Sequence, residues 1–275
     1  MLHSASREAR TPYQAVRRMT STRAGQFGVF VLFLALLVAV WQALYALEIW
    51  PPYTLPSPGS VGETLWRNTE NGRIPRAVGV SMRRLAIGYA LSVGAGITIG
   101  SLTATSRLAD STVGKVVLGM QSLPSVAWLP LAVLWFGLNE QAIIFVAFMG
   151  SLFSVAISTN SGVKSIPPLL RQVGQTYGAS RWQMYRHIIV PGMMPSLAGG
   201  LKLGWSFAWR SLMAGELLYA GLGLGQMLER GRDLNDMSLV LATMLVIISV
   251  GLVMDQLVFG RLEHWVLERR GLSAN

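Results

Sequence analysis

The chain has 275 residues, 52% of them hydrophobic and 13% charged, with a net charge of +10 and no cysteine. Soluble domains carry about 25% charged residues, so the shortfall points to a membrane protein, and the missing cysteines exclude disulfides and thiolate metal sites. In a soluble protein this basic balance would point to nucleic acid; here the placement of the charges along the chain decides.

A bilayer-crossing helix needs about 20 mostly apolar residues. Residues 1–25 are basic and polar and form an N-terminal segment. The first span is predicted over 26–47; its apolar run exceeds the roughly 7–15 residues of a signal peptide, and no A-x-A site follows. Residues 48–82 form an external segment that opens PPYTLPSPGS, where each proline also restricts its predecessor. A short amphipathic helix is expected near 59–70. The second span, 84–105, carries Gly88, Ser92, Gly96, Gly100 and Ala104 at four-residue spacing, a ladder that lets helix backbones approach closely in lipid. The third, 113–136, is broken by Pro124 and Pro130. Carbonyls freed by proline must face protein or a wet cavity, which favours a pathway-lining position; a tolerated kink is the alternative. The fourth span is 140–160. The fifth, 196–218, carries a second ladder, Ser196, Gly200, Gly204 and Ala208, and the sixth is 238–260, followed by the tail 261–275.

Arg and Lys set orientation. With the N-terminus in the cytoplasm, the inside segments hold fourteen: Arg7, Arg10, Arg17, Arg18, Arg23, Arg107, Lys115, Lys164, Arg171, Arg181, Arg186, Arg261, Arg269 and Arg270. The outside segments hold seven: Arg67, Arg73, Arg76, Arg83, Arg84, Arg230 and Arg232. The bias puts both termini and the loop 161–195 in the cytoplasm and explains the basic charge without nucleic acid.

Within that loop, PPLLRQVGQTY (167–177) reads as a helix with prolines in its first turn and Leu169, Leu170, Val173 and Tyr177 on one face. Gly178 permits a left-handed turn, Ser180 caps a second helix, and Pro191 follows that helix's end. Trp182, Tyr185 and Ile188 or Ile189 share one side, flanked by Arg181 and Arg186. This hairpin suits either a docking element or an interfacial helix on lipid headgroups.

The loop resembles the cytoplasmic signature of the membrane-spanning permease subunits of bacterial ABC importers: Glu-Ala-Ala, three residues, Gly, nine residues, Ile, one residue, Leu-Pro. Gly178 takes the glycine position, and Ile188, Val190 and Pro191 fall where Ile, Leu and Pro belong. The triplet falls on Gln172, Val173 and Gly174 and matches at none of them. LPSPGSV (55–61), SLPSVAWLPLAVLWFG (122–137) and AWRSLMAGELLYAGLGLG (208–225) are similar to the nitrate, sulfonate and taurine subgroup. The resemblance implies an all-α, six-span polytopic fold of the type I importer permeases in a bacterial inner membrane, with residues 83–260 as the permease core. It implies that Gly178, Ser180, Arg181, Trp182, Tyr185, Arg186, Ile188 and Pro191 form the coupling helix, docked on a separate cytoplasmic ATPase subunit that holds ATP and Mg. It also implies a periplasmic or lipid-anchored binding protein, a second copy of the chain, and transport of an alkanesulfonate or taurine first and nitrate or a related oxyanion second. An ion-gradient-driven secondary transporter is the alternative. The chain is not expected to hydrolyse ATP: around its Gly114-Lys115 pair a phosphate-binding loop would need glycine at 109 and Ser or Thr at 116, where Ala109 and Val116 stand.

The fifth span carries Lys202, Ser206 and Arg210 four residues apart beside Trp205 and Trp209. Intramembrane charges face protein or water, and a cationic stripe suits an anion pathway. The candidate pathway contacts are Gln121, Ser122, Trp128, Ser206, Trp209 and Arg210. The alternative has Lys202 snorkel to headgroups and Arg210 pair with an acid. Glu216 is expected in a structural pair near the outer end, and Asp255 in a pair with another helix. Histidines stand only at 3, 187 and 264, so no catalytic constellation forms and no enzyme is expected.

Overall fold

A computed structural model of the chain describes residues 23–268, and every regular element in it is helical. Arg7, Arg10, Arg17, Arg18, Arg269 and Arg270 of the topology count lie outside the described residues. The described residues divide into two compact parts, up to Glu63 and from Thr64 onward.

The first part holds α1 (Arg23–Ala46) and the start of α2 (Pro58–Glu70). Over Phe27–Ala46 no residue of α1 is buried. A helix of this length that is apolar on every side is a candidate membrane span. Trp41 Nε1 donates to Pro56 O at 3.0 Å and ties the following loop back to this helix. Pro58 opens α2, where its fixed φ and missing N–H cost nothing.

The second part is a bundle. α3 is Arg73–Thr105, and α4 (Arg107–Gln121) turns through 104° into α5 (Ser125–Phe136). α6 is Glu140–Lys164 and α7 is Pro168–Thr176. α8 spans 181–218, α9 is Leu224–Asp233, and α10 spans 237–268. Among the described residues, four helices are long and apolar enough to cross a bilayer, and the bent α4–α5 pair makes a fifth. The sixth expected span is the Val190–Leu218 part of α8, which at 29 residues is long enough. It is less apolar than the others because it carries Lys202, Arg210 and Glu216.

α6 is the central helix, and both small-residue ladders pack on it. A β-carbon on Gly88 would sit 2.8 Å from Ile144 O, and one on Gly96 2.8 Å from Val155 Cβ. From α8, a β-carbon on Gly204 would meet Val155 Cγ2 at 3.1 Å, while Gly200 faces Ser158. Small residues on α3 and α8 therefore bring both backbones onto neighbouring faces of one helix, meeting at Val155, the contact that glycine serves in lipid.

Three boundaries differ from the sequence reading. α3 begins at Arg73, not 84, because Gly72 at φ 74° ends the preceding turn, Pro75 fits the first turn, and Arg84 is neutralised inside the bundle. Pro191 does not stop the hairpin's second helix. The chain passes through a π-helical turn, Tyr185–Ile189, and continues to Leu218. A wider turn there accommodates the N–H that proline lacks. Of the two prolines in the third span, only Pro124 marks the break; Pro130 lies in the first turn of Leu129–Phe136, where it is tolerated.

Charged pairs sit at the two ends of the bundle. At one end Arg84 Nη1 meets Glu216 at 2.8 Å, and Arg83 Nη2 meets Glu140 at 2.5 Å. At the end nearer the hairpin, Lys164 Nζ meets Asp110 at 2.6 Å and Lys202 Nζ lies 3.7 Å from Asp255.

Candidate functional site

The break between α4 and α5 opens onto a cavity of about 360 Å3. Gln121 and Ser122 come from the end of α4, Trp128 from the start of α5, Met149, Gly150 and Phe153 from α6, and Phe207 and Arg210 from α8. Gln121 Nε2 donates to Ser154 Oγ at 3.2 Å, which fixes the amide against α6. The Trp128 and Phe153 rings lie 6.3 Å apart. Arg210 Nε donates to Ser206 O at 3.1 Å, and its guanidinium carbon stands 5.0 Å from the Phe207 ring centroid. A cation over an aromatic face is attracted by the ring quadrupole. Arg210 is exposed and has no carboxylate partner among the described residues, so its remaining donors are free for an anion.

Gln121, Ser122, Trp128 and Arg210 thus come together as expected. Trp209 and Ser206 do not join them. Trp209 is buried in the core, and its ring nitrogen would lie 3.3 Å from a β-carbon on Gly251 of α10. Neighbours on a helix are turned about 100° apart, so Trp209 cannot share the wall that Arg210 occupies. Ser206 is half-buried one turn below, with its hydroxyl donated to Lys202 O at 3.2 Å. The polar stripe divides: Lys202 turns to Asp255 and to Glu263, at 3.7 and 3.6 Å, while Arg210 faces the cavity. Met149, Gly150, Phe153 and Phe207 escape a search for charge and proline. The spacing to Arg210 offers a signal for Phe207 alone, three residues away on the same face.

Glu216 is fully buried with several donors around it. Ser81 Oγ lies 2.7 Å from it, Arg84 Nη1 2.8 Å and the Gly225 N–H 3.0 Å. Ser81 Oγ in turn accepts from Leu224 N at 3.0 Å. A buried carboxylate is tolerable only when so surrounded. The expected structural pair of Glu216 is therefore present, and it ties α3, α8 and the start of α9 together.

The hairpin forms as its sequence dictates. Gly178 adopts φ 68°, and Ala179 N donates back to Gly174 O at 3.0 Å. Ser180 and Gln183 make a reciprocal capping box, with Ser180 N to Gln183 Oε1 at 2.8 Å and Gln183 N to Ser180 Oγ at 3.3 Å. Trp182 and Tyr185 stack with centroids 6.2 Å apart. Leu169, Val173, Tyr177 and Trp182 are exposed, at 66%, 44%, 86% and 65%. Arg181 and Arg186 flank them, also exposed. Ile188 and Pro191 are half-buried, and Ile188 serves the hairpin itself: a β-carbon on Gly174 would lie 2.7 Å from both Ile188 Cδ1 and Met184 Cε. Gly174 is thus the close-contact residue between the two helices, a role the sequence reading does not give it.

Residues 96–260 match the family described as the binding-protein-dependent transport system inner membrane component. The chain is 32% identical over 227 residues to a Methanocaldococcus jannaschii chain described as an ABC transporter permease protein, covering 81% of this chain and 85% of that one. It is 29% identical over 227 residues to the taurine transport system permease protein of Escherichia coli, covering 81% and 82%. A structure of the inward-facing methionine ABC transporter MetNI aligns with a TM-score of 0.61 at 18% identity, covering 70% of this chain and 94% of that one, and shares the fold. The family match includes the broken span, the hairpin and the second ladder, and with these matches an ion-gradient-driven carrier is set aside: the chain belongs to the family of inner membrane components of binding-protein-dependent transport systems, as an ABC transporter permease.

Proposed function

We propose that this permease carries a small anion, an alkanesulfonate or taurine before nitrate or a related oxyanion, through the cavity at the α4–α5 break. The observation that carries this reading is Arg210. It is a permanent cation about 20 residues into the 29-residue helix Val190–Leu218, it opens into the cavity, and it has no carboxylate partner among the described residues. A guanidinium fork suits sulfonate or other oxyanions, and one weak contact permits release. The taurine permease among the relatives supports a sulfonate.

The hairpin delivers ATP-driven motion. Its exposed Leu169, Val173, Tyr177 and Trp182 offer an apolar patch with basic flanks, suited to a groove on a cytoplasmic ATPase subunit that holds ATP and Mg. Family membership supports a substrate-binding protein, periplasmic or lipid-anchored, as the second partner. A second copy of the chain completes the pathway, and both termini lie in the cytoplasm.

The test is reconstitution with the ATPase and binding proteins, with uptake of an alkanesulfonate, taurine and nitrate measured. Arg210→Gln is expected to lower uptake while complex yield and thermal stability hold, with Arg210→Lys milder. Lost stability with normal uptake per folded complex would overturn the pathway role. Trp182→Ala with Tyr185→Ala is expected to leave the chain inserted and to weaken ATPase co-purification. Unchanged co-purification and unchanged transport-linked hydrolysis would refute the docking assignment.

A further inference from the structure

The end of the bundle opposite the hairpin holds more cation than topology needs. Of its arginines, Arg83, Arg84 and Arg232 have acidic partners. Arg67, Arg73 and Arg230 have no ion pair among the described residues, yet all three line one cavity of about 540 Å3. Arg67 stands in the last turn of α2, Arg73 is the first residue of α3, and Arg230 lies on α9. The carboxylate in the same lining, Asp236, accepts from Leu239 N at 2.9 Å and caps α10. On α9, Glu229 and Asp233 are engaged by Arg232. Arg73 lies at the far end of a 33-residue helix from Thr103, which bonds Asn160 at 2.7 Å close to the Asp110–Lys164 pair. At 1.5 Å per residue, that separates the pocket from the hairpin end by roughly 45 Å.

We infer that this pocket receives carboxylate side chains of the substrate-binding protein and is the electrostatic docking point of that partner. The inference rests on the importer reading above. Guanidinium forks match carboxylates two bonds at a time. Three such groups in one concavity sum to a field that steers an acidic partner. The lining also includes Leu222 and Leu234, exposed at 49% and 64%, so an arriving surface meets apolar contacts beside the cations. That mixture suits a protein surface better than a bare inorganic anion. The three side chains are exposed, so their mutual repulsion in the free state is screened and tolerable.

The test uses the complete importer in lipid nanodiscs with its own purified binding protein. Arg67→Gln, Arg73→Gln and Arg230→Gln combined are expected to raise the half-maximal binding-protein concentration for stimulated ATP hydrolysis about tenfold, since each exposed pair adds only a few-fold. The salt dependence of stimulation should flatten, and unstimulated hydrolysis should not change. Independently, Gln226→Cys carrying a photocrosslinker, on an otherwise native chain without cysteines, should yield a binding-protein adduct. Wild-type stimulation with unchanged affinity and salt dependence in the triple variant would overturn the pocket and leave the importer reading standing. So would crosslinking to lipid alone. The docking role is likewise overturned if the triple variant loses calorimetric binding of methanesulfonate while docking is unaltered, since the pocket would then hold free anion. A wild-type complex that no binding protein stimulates would overturn both.

Discussion

Glu216 and Arg84 show what one buried pair does for the bundle. Both are all but removed from solvent, and their partners lie on α3, α8, the start of α6 and the start of α9. Removing one member of such a pair costs about 3–5 kcal/mol because the other charge is left unpaired. Glu216→Gln is therefore expected to lower the thermal stability and yield of the purified complex sharply. Glu216→Met with Arg84→Met together should recover most of the loss, since apolar replacement of both members is often neutral. A double variant no more stable than the single one would assign Glu216 a role other than charge compensation. Gly223 and Gly225 belong to the same design, for a β-carbon on either would come within 2.6 Å of the Glu216 side chain.

The two ladders make their prediction at the level of helices. A β-carbon on Gly100 of α3 would collide with the backbone oxygen of Ala156 and with Thr159, and backbone cannot move aside. Gly94, on the same helix, has nothing within 4 Å. Gly100→Ala is expected to push α3 off α6 and destabilise by about 1–3 kcal/mol. Gly94→Ala should be neutral or stabilising by up to about 1 kcal/mol, the helix propensity difference. Thermal unfolding in one detergent compares them directly, and equal effects would refute the packing role. This contrast also marks how far the sequence could be read. The four-residue spacing of Gly88, Ser92, Gly96 and Gly100 declares a contact face, because periodicity is local. That both ladders meet the same helix is not local and could not be read. The hairpin was legible through Gly178 and Ser180, whose backbone demands are set by neighbours in sequence. Pro191 misled, since a π turn absorbs it and nothing in its neighbours signals that outcome. Within the cavity, Arg210, Gln121, Ser122 and Trp128 stood out by charge, polarity and the prolines beside them. Phe153 and Met149 did not, because an apolar residue on an apolar helix carries no mark of which wall it forms.

The whole molecule should present its two ends to opposite sides of the membrane. Tyr177 is 86% exposed at the hairpin end, and Asn71 is exposed at the other. Asn68, though polar, is a poor probe position because it is buried at 5% exposure. With no native cysteine, Tyr177→Cys should react with an impermeant thiol reagent only from the cytoplasmic face and Asn71→Cys only from the opposite face. Labelling of both from one side would refute the topology derived from Arg and Lys. The connection between the hairpin and the cavity then governs timing. From Arg181 to Arg210 the chain is a continuous run of helix, with a π turn at Tyr185–Ile189 and with Pro191 and Pro195 just after it. That run is roughly 40 Å of stiff rod. A stiff rod has little idle stroke: under the proposed docking, displacement imposed on the hairpin would reach the guanidinium in the cavity, and the opposite is equally true. On the proposed pathway and docking, an anion seated at Arg210 would load the hairpin, and a motor holding the hairpin would feel whether the cavity is filled. Play in this train is expected at the widened turn and at Pro191 and Pro195 just after it, so stiffening or loosening Tyr185–Ile189 should change how much ATP is spent per anion moved while the cavity stays unaltered.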